Sequence, residues 1–246
     1  MGTLKTLTAP FDPLQALPAA VAARAWVAPL LVTMALTALG SAALESRVDP
    51  SSAVYAKLEA AGELSKLTDR ELSEQLDLAR RIGIVGGVAK GLFGVPLVAL
   101  LSALGAWLFG RLVTLRLRFV EAVTVVSLAL LPTAYGSGVT IAAALRQTTL
   151  SPRSAKALVP SALTVAPPDG PPAPSRWKAS ARARLAGLVD FFHLWSALVF
   201  GFGLASATGR SRWLLVPAGA ALCLVVLGAA LVGVPGLLES AGGPRR

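Results

Sequence analysis

The chain has 246 residues, of which 54% are hydrophobic and 15% charged, and its mean hydropathy is +0.67. Soluble domains usually carry about 25% charged residues. Four stretches of 20 residues or more contain no Asp, Glu, Lys or Arg, namely 25–44, 91–110, 122–145 and 213–238. A soluble core could hide one such stretch but not all of them, so a soluble domain is excluded.

These apolar stretches have the length of membrane helices. A helix of about 20 residues spans the ~30 Å hydrocarbon core, and lipid offers backbone groups no other hydrogen-bond partners. The pattern predicts an all-α polytopic membrane protein, with a single transmembrane domain over 25–238 and about five spans. The predicted spans are 25–44, 84–110, 120–145, 185–207 and 213–236. The stretch 185–207 is interrupted only by Asp190 and His193.

The net charge of +10 does not indicate a nucleic-acid partner. Basic residues lie beside the spans, where such residues anchor helix ends and meet anionic lipid headgroups. The predicted partner is the lipid bilayer, with other membrane proteins or self-association as further partners. Arg outnumbers Lys 17 to 6 and Ala is abundant, which favours a GC-rich bacterial genome and hence the bacterial cytoplasmic (inner) membrane.

Residues 1–24 precede the first predicted span and contain three prolines that break any long helix. Apolar residues at helical spacing predict a broken, interfacial amphipathic segment. A cleaved signal peptide is the alternative, because Ser41-Ala42-Ala43 resembles a cleavage site. The apolar stretch of 25–44 is longer than a signal sequence requires, which favours its retention as a span.

Residues 45–82 form a polar insert between the first two spans and hold eight of the 13 acidic residues. Thr68 and Glu71 have the spacing of a capping box, so a helix is predicted to begin there. Leu72, Leu76 and Ala79 follow on one helical face. The insert is therefore predicted to be a helical hairpin at the membrane surface.

The remaining connections differ in character. Pro132 and 136–138 (Gly-Ser-Gly) predict a kink or a close helix contact within the third span. Residues 146–184 form a basic, proline-rich loop, and residues 239–246 form a C-terminal tail.

The orientation of the chain in the membrane follows from its charges. Of the Lys and Arg residues outside the spans, 7 fall on the side of residues 1–24 and 15 on the other. That count places the N-terminus outside, whereas the short basic loops at 110–118 and 208–212 favour the opposite orientation.

No catalytic constellation is recognisable in the chain. One His and one Cys, in different predicted spans, exclude a His/Cys metal cluster, and no nucleophile-elbow or phosphate-binding motif occurs. We therefore expect no enzyme activity, no cofactor and no metal. Asp190 and His193 share a helical face, and ionisable residues inside spans are candidates for function. Glu121, at the start of the third span, is a candidate partner for this pair. The alternative is that Asp190 is an N-terminal helix residue favoured by the helix dipole.

The residues 188–195 (Leu-Val-Asp-Phe-Phe-His-Leu-Trp), followed by Gly201 and Gly203, resemble the Yip family of polytopic membrane proteins. Asp190, Phe192 and Trp195 fall within this stretch. The layout is also similar to that family, with Pro10-Phe11 before the first span and a polar helical insert after it. The aspartate-leucine-tyrosine-glycine-proline motif of eukaryotic members is absent.

The resemblance implies a bacterial-type member with five helical spans, no catalytic activity and a role in membrane organisation or partner binding. Because the eukaryotic motif is absent, GTPase binding is not implied. An alternative function is that of a small transporter or channel subunit, in which Asp190, His193 and Glu121 form an intramembrane polar path.

Overall fold

The structure is a computed structural model that describes residues 2–146 and 191–225, and no β-strand occurs among them. Four helices are long and apolar enough to cross a membrane, namely Val27–Arg47, Asp69–Leu112, Phe119–Leu145 and Phe191–Thr208. The prediction of an all-α protein with several membrane-spanning helices is confirmed. A shorter apolar helix, Arg212–Val225, reaches the last described residue.

Several predicted segments lie outside the described residues. These are nearly all of the proline-rich loop 146–184, the end of the predicted span 213–236, the tail 239–246 and Asp190.

The helices are numbered here in chain order. They are α1 (Thr3–Leu7), α2 (Ala16–Ala22), α3 (Val27–Arg47), α4 (Ser51–Ala61), α5 (Asp69–Ala89), α6 (Val95–Leu112), α7 (Phe119–Ala129), α8 (Leu131–Leu145), α9 (Phe191–Thr208) and α10 (Arg212–Val225). Short 3-10 turns cover Ala9–Phe11 and Leu64–Lys66. The described residues fall into two compact units. The first contains 2–30, 99–133 and 191–225, and the second contains 31–98 and 134–146.

Helices α5 and α6 form one continuous helix of 44 residues. Its start is the predicted capping box: the Glu71 carboxylate accepts from the Thr68 backbone N–H at 2.8 Å, and the Thr68 hydroxyl accepts from the Glu71 N–H at 3.4 Å. The prediction that a helix begins here is therefore confirmed. No break separates this polar start from the apolar part of the helix.

A π-helical turn, Lys90–Gly94, joins α5 to α6. Pro96, in the first turn of α6, lacks a backbone N–H, and its ring crowds the carbonyl four residues earlier in a regular α-helix. The wider π turn lets the Val95 N–H bond to the Lys90 carbonyl instead. The helix therefore continues through a proline that would otherwise interrupt it.

Helix α3 packs on α5 and on the π turn that follows it through a glycine face, which we define as Gly83, Gly87 and Gly91. A Cβ on Gly87 would lie 2.9 Å from the Ser41 Cβ, and a Cβ on Gly91 would overlap the Ala38 backbone. Small residues let membrane helices approach closely, and packing then supplies the attraction that lipid cannot. All of these residues belong to the second unit.

The sequence predicts a kink or a close helix contact in the third span, and the structure shows a close contact. The helix Phe119–Leu145 is interrupted at Leu130, two residues before Pro132. Further along, a Cβ on Gly40 of α3 would lie 3.2 Å from both the Cβ and the carbonyl oxygen of Ser137. The Gly-Ser-Gly segment therefore allows α8 to pack closely against α3.

Candidate functional site at the start of helix α9

The first turn of α9 is an aromatic cluster. The ring centroids of Phe191 and Phe192 lie 5.4 Å apart, and those of Phe191 and Trp195 lie 5.6 Å apart. Phe192, His193 and Trp195 are each half-buried. The structure therefore places the described residues of the sequence motif, from Phe191 to Trp195, in one helical turn.

Trp195 binds the N-terminal segment of the chain. Its indole Nε1–H donates to the Pro10 carbonyl at 3.2 Å, and its ring meets Phe11 edge-on with centroids 4.6 Å apart. Edge-to-face pairs of this kind contribute about 0.5–1.5 kcal/mol beyond their buried area. The two stretches that carry the family resemblance, Pro10-Phe11 and the α9 motif, are thus in direct contact although 185 residues separate them.

The N-terminal segment is positioned by its own buried residues. Ala9, Leu17 and Ala20 have no exposed surface, and Pro10 is buried. Helix α2 packs against both α7 and α9, and the 3-10 turn before it also contacts α7. Asp12 orders the connection, since its carboxylate accepts from the backbone N–H groups of residues 15 and 16 at 3.0 and 3.3 Å.

Beyond the aromatic cluster, α9 is a surface of small residues. A Cβ on Gly203 would lie 2.7 Å from a Val125 methyl group of α7. A Cβ on Gly219 of α10 would lie 2.9 Å from the Gly201 Cα. The two motif glycines therefore serve close approach, one toward α7 and the other toward α10.

Glu121 has a structural partner at the start of α7. Its carboxylate accepts from the Arg118 backbone N–H at 3.0 Å. An acidic group in the first helical turn is also favoured by the helix dipole. Glu121 is not paired with His193, since no ion pair or hydrogen bond joins these two side chains among the residues that the structure describes. The structure does not bring these two predicted site residues together.

Ser127 in α7 and Ser196 in α9 carry buried hydroxyl groups. Within the part of the chain that the structure describes, no group lies in hydrogen-bond geometry to either Oγ atom. Thr124, in contrast, donates to the Val120 carbonyl at 2.8 Å. Among residues 2–146 and 191–225, no three His, Cys, Asp or Glu side chains lie together as a metal site.

The structure adds contacts that were not predicted from the sequence. The motif residues were singled out individually, but the contact between Trp195 and Pro10-Phe11 was not predicted, because no sequence signal pairs two distant segments. The i, i+4 spacing of Gly83, Gly87 and Gly91 is a sequence signal for close helix packing that was not among the predictions. No family model, curated protein or solved structure matches this chain.

Proposed function

We propose that this chain is a non-enzymatic membrane protein of the Yip-like type, with five spans, acting in membrane organisation or partner binding. In this proposal it resides in a bacterial inner membrane, and residues 45–82 are the polar insert that meets the partner. The described helices support the membrane location, and the specific role rests on the family resemblance together with one feature of α5.

That feature is the length of the helix Asp69–Leu112. Its 44 residues correspond to about 66 Å, more than twice the ~30 Å thickness of the hydrocarbon core. The first 13 residues, 69–81, include seven charged side chains, all of them exposed. A charged helical turn is costly inside lipid, so this part projects about 20 Å from the membrane as a continuation of a span.

The projecting part is suited to contact another macromolecule. Helix α4 packs beside it and buries Leu58. The ion pair between Arg70 and Glu74 at 3.2 Å is exposed and contributes little to stability. These charged groups are consequently available to a partner at small cost.

Site-specific photo-crosslinking in intact membranes tests the proposal. A photoreactive residue at Gln75, which is exposed on α5, is expected to give a protein adduct. The same residue at Leu101, which is 57% exposed on apolar α6, serves as the control and is expected to react with lipid. Lipid adducts alone at both positions would contradict partner binding through the insert.

Proteoliposome flux tests the transporter alternative separately. Solute or proton flux that is present in wild type and lost in His193→Ala would favour an intramembrane polar path and refute the proposed role. The Glu121 carboxylate is engaged by the Arg118 backbone N–H at the start of α7, so we expect no such flux.

A further inference from the structure

The connection between α6 and α7 is folded back onto the end of α6. The Leu115 N–H donates to the Gly110 carbonyl at 2.7 Å, and Thr114 has a positive φ of 57°, which turns the chain. Leu117 is buried, and a Cβ on Gly110 would lie 3.3 Å from the Leu117 Cβ. The backbone of residues 113–118 is therefore held in place by its own contacts, all of them within the first compact unit.

Three arginines extend from this folded connection. Arg111 lies in the last turn of α6, and Arg116 and Arg118 flank Leu117. All three are exposed, and none forms an ion pair with a residue that the structure describes. Because Leu117 packs on Gly110, the chain neighbours of these two residues are also close to each other. The three arginine side chains are therefore placed to contact a single anion.

Little negative charge opposes the arginines within their own part of the chain. Glu121 is the one acidic residue in 99–133. Its carboxylate accepts from the Arg118 backbone N–H at 3.0 Å, so it caps α7 and is not bound to a guanidinium group. The guanidinium N–H donors of the connection are thus left for an external anion.

One of the three guanidinium groups is oriented by an aromatic ring. The Arg111 guanidinium lies over Trp107, 5.0 Å from the ring centroid. The same ring meets Phe119 edge-on, with centroids 6.4 Å apart, so it bridges α6 and α7. A guanidinium that stacks on an aromatic face keeps its in-plane N–H groups for bidentate binding of a phosphate. Trp107 is therefore a positioning residue for Arg111.

The apolar surroundings of the arginines indicate where the anion comes from. Leu112 is 82% exposed beside Arg111, and Val113 and Val120 are also exposed. The helices on both sides of the connection are long and apolar enough to cross a membrane, so the connection lies at a membrane surface. An anionic phospholipid offers a phosphate to the arginines and acyl chains to the apolar side chains. A soluble anion offers only the first.

We propose that Arg111, Arg116 and Arg118 form a binding site for the phosphate of an anionic phospholipid. The site is separate from residues 45–82 and does not depend on the partner binding assigned to them. A general attraction of basic residues to an anionic membrane depends on charge alone. This site depends in addition on the guanidinium geometry and on the ring of Trp107.

Lipid titration of the purified full-length protein in detergent, followed by native mass spectrometry, tests the site. We expect phosphatidylglycerol to bind more tightly than phosphatidylcholine. The double variant Arg116→Ala/Arg118→Ala should bind phosphatidylglycerol about tenfold more weakly or worse, because it loses charge-assisted hydrogen bonds.

The second short basic turn provides a charge-matched control. Arg210 and Arg212 are exposed between α9 and α10. Arg210→Ala/Arg212→Ala removes the same charge as the first pair and should bind phosphatidylglycerol like wild type. Equal affinity of the two double variants, whether weakened or not, would overturn the proposal, because the connection between α6 and α7 would then hold no site of its own.

A lysine pair separates geometry from charge. Arg116→Lys/Arg118→Lys keeps both positive charges but loses the planar fork that binds a phosphate through two hydrogen bonds. Its affinity for phosphatidylglycerol should stay below that of wild type. Wild-type affinity in the lysine pair would show that charge alone is sufficient and would contradict a guanidinium site.

Competition with inorganic phosphate distinguishes a lipid from a soluble anion. Phosphate in molar excess over the lipid should not displace phosphatidylglycerol, because it makes no contact with the apolar side chains around Leu112. Displacement by phosphate, but not by chloride at the same ionic strength, would assign the arginines to a soluble anion and overturn the lipid assignment.

Two substitutions of Trp107 test its positioning role. Trp107→Phe keeps an aromatic face beneath Arg111, whereas Trp107→Leu removes it. Phosphatidylglycerol should bind more weakly to Trp107→Leu than to Trp107→Phe, with thermal unfolding of both variants confirming that they are folded. Equal affinity of two folded variants would show that the ring does not position Arg111.

Discussion

Replacement of Gly87 by Ala provides a direct test of the glycine face between α3 and α5. The new Cβ would lie 2.9 Å from the Ser41 Cβ, 3.1 Å from the Ser41 carbonyl carbon and 3.3 Å from the Ala42 nitrogen. Two of these three atoms belong to the backbone, so a side-chain rotation alone cannot relieve the contact. The two helices must move apart, and such overpacking costs about 1–3 kcal/mol.

The neighbouring Gly86 provides a matched control. It lies in the same turn of α5, it is exposed, and no atom lies within 4 Å of a Cβ placed there. Both substitutions gain the helix propensity of Ala over Gly, about 1 kcal/mol. The propensity gain cancels in the comparison, so Gly87→Ala should be less stable than Gly86→Ala by the overpacking cost of about 1–3 kcal/mol.

Equilibrium unfolding of the purified protein in mixed micelles, followed by circular dichroism, measures this difference. Gly91→Ala should cost at least as much as Gly87→Ala, because its Cβ would overlap the Ala38 backbone. Equal stability of the Gly86 and Gly87 variants would show that α3 and α5 do not meet at the glycine face.

Three further outcomes follow from the described contacts. Gly203→Ala should destabilise the protein by about 1–3 kcal/mol in the same unfolding assay, because its Cβ would lie 2.7 Å from a Val125 methyl. A second change, Val125→Ala, should restore most of the lost free energy of unfolding. If it does not, the strain lies elsewhere. Thr68→Ala removes the cap of α5 and should cost about 1 kcal/mol, seen as faster hydrogen exchange in the first turn of that helix, while Thr68→Ser should exchange like wild type. The pKa of Asp49 lies below its usual value, first because of the backbone N–H of Ser51 and then because of the Ser51 hydroxyl, both 2.9 Å away. The contribution of Asp49 to stability is therefore present above the unfolded pKa of about 3.9 and is lost as the pH falls through the lower folded pKa. Ser51→Ala should raise the NMR-measured pKa of Asp49 only part of the way, because the backbone N–H remains.

Hydrophobicity and local capping were readable from sequence because both are properties of neighbouring residues. Where the structure describes them, the charge-free stretches are almost entirely helical, since lipid and protein interiors both exclude unpaired charge. The Thr68–Glu71 box is likewise complete within four residues. Such features need no knowledge of what packs against the chain.

The contacts that define the candidate site were not predictable in the same way. Pro10 and Trp195 meet only because the fold brings α2 against α9. Glu121 and His193 looked like partners because both are ionisable and near a span, but their depth depends on how α7 and α9 align. The pairing of segments far apart in sequence is a property of packing, which a single sequence records weakly.

The 44-residue helix has a mechanical consequence. The glycine face holds the long helix against α3 from Gly83 to Gly91, and the residues from Gly83 back to Asp69 form a stiff rod of about 21 Å. A tilt of about 10° at Gly83 would displace the Asp69 end by roughly 4 Å over that length. The π turn at Lys90–Gly94 lies at the opposite end of the glycine face, and such turns are common sites of helix bending. A small change in packing at the glycine face would thus be amplified into a movement of the charged tip.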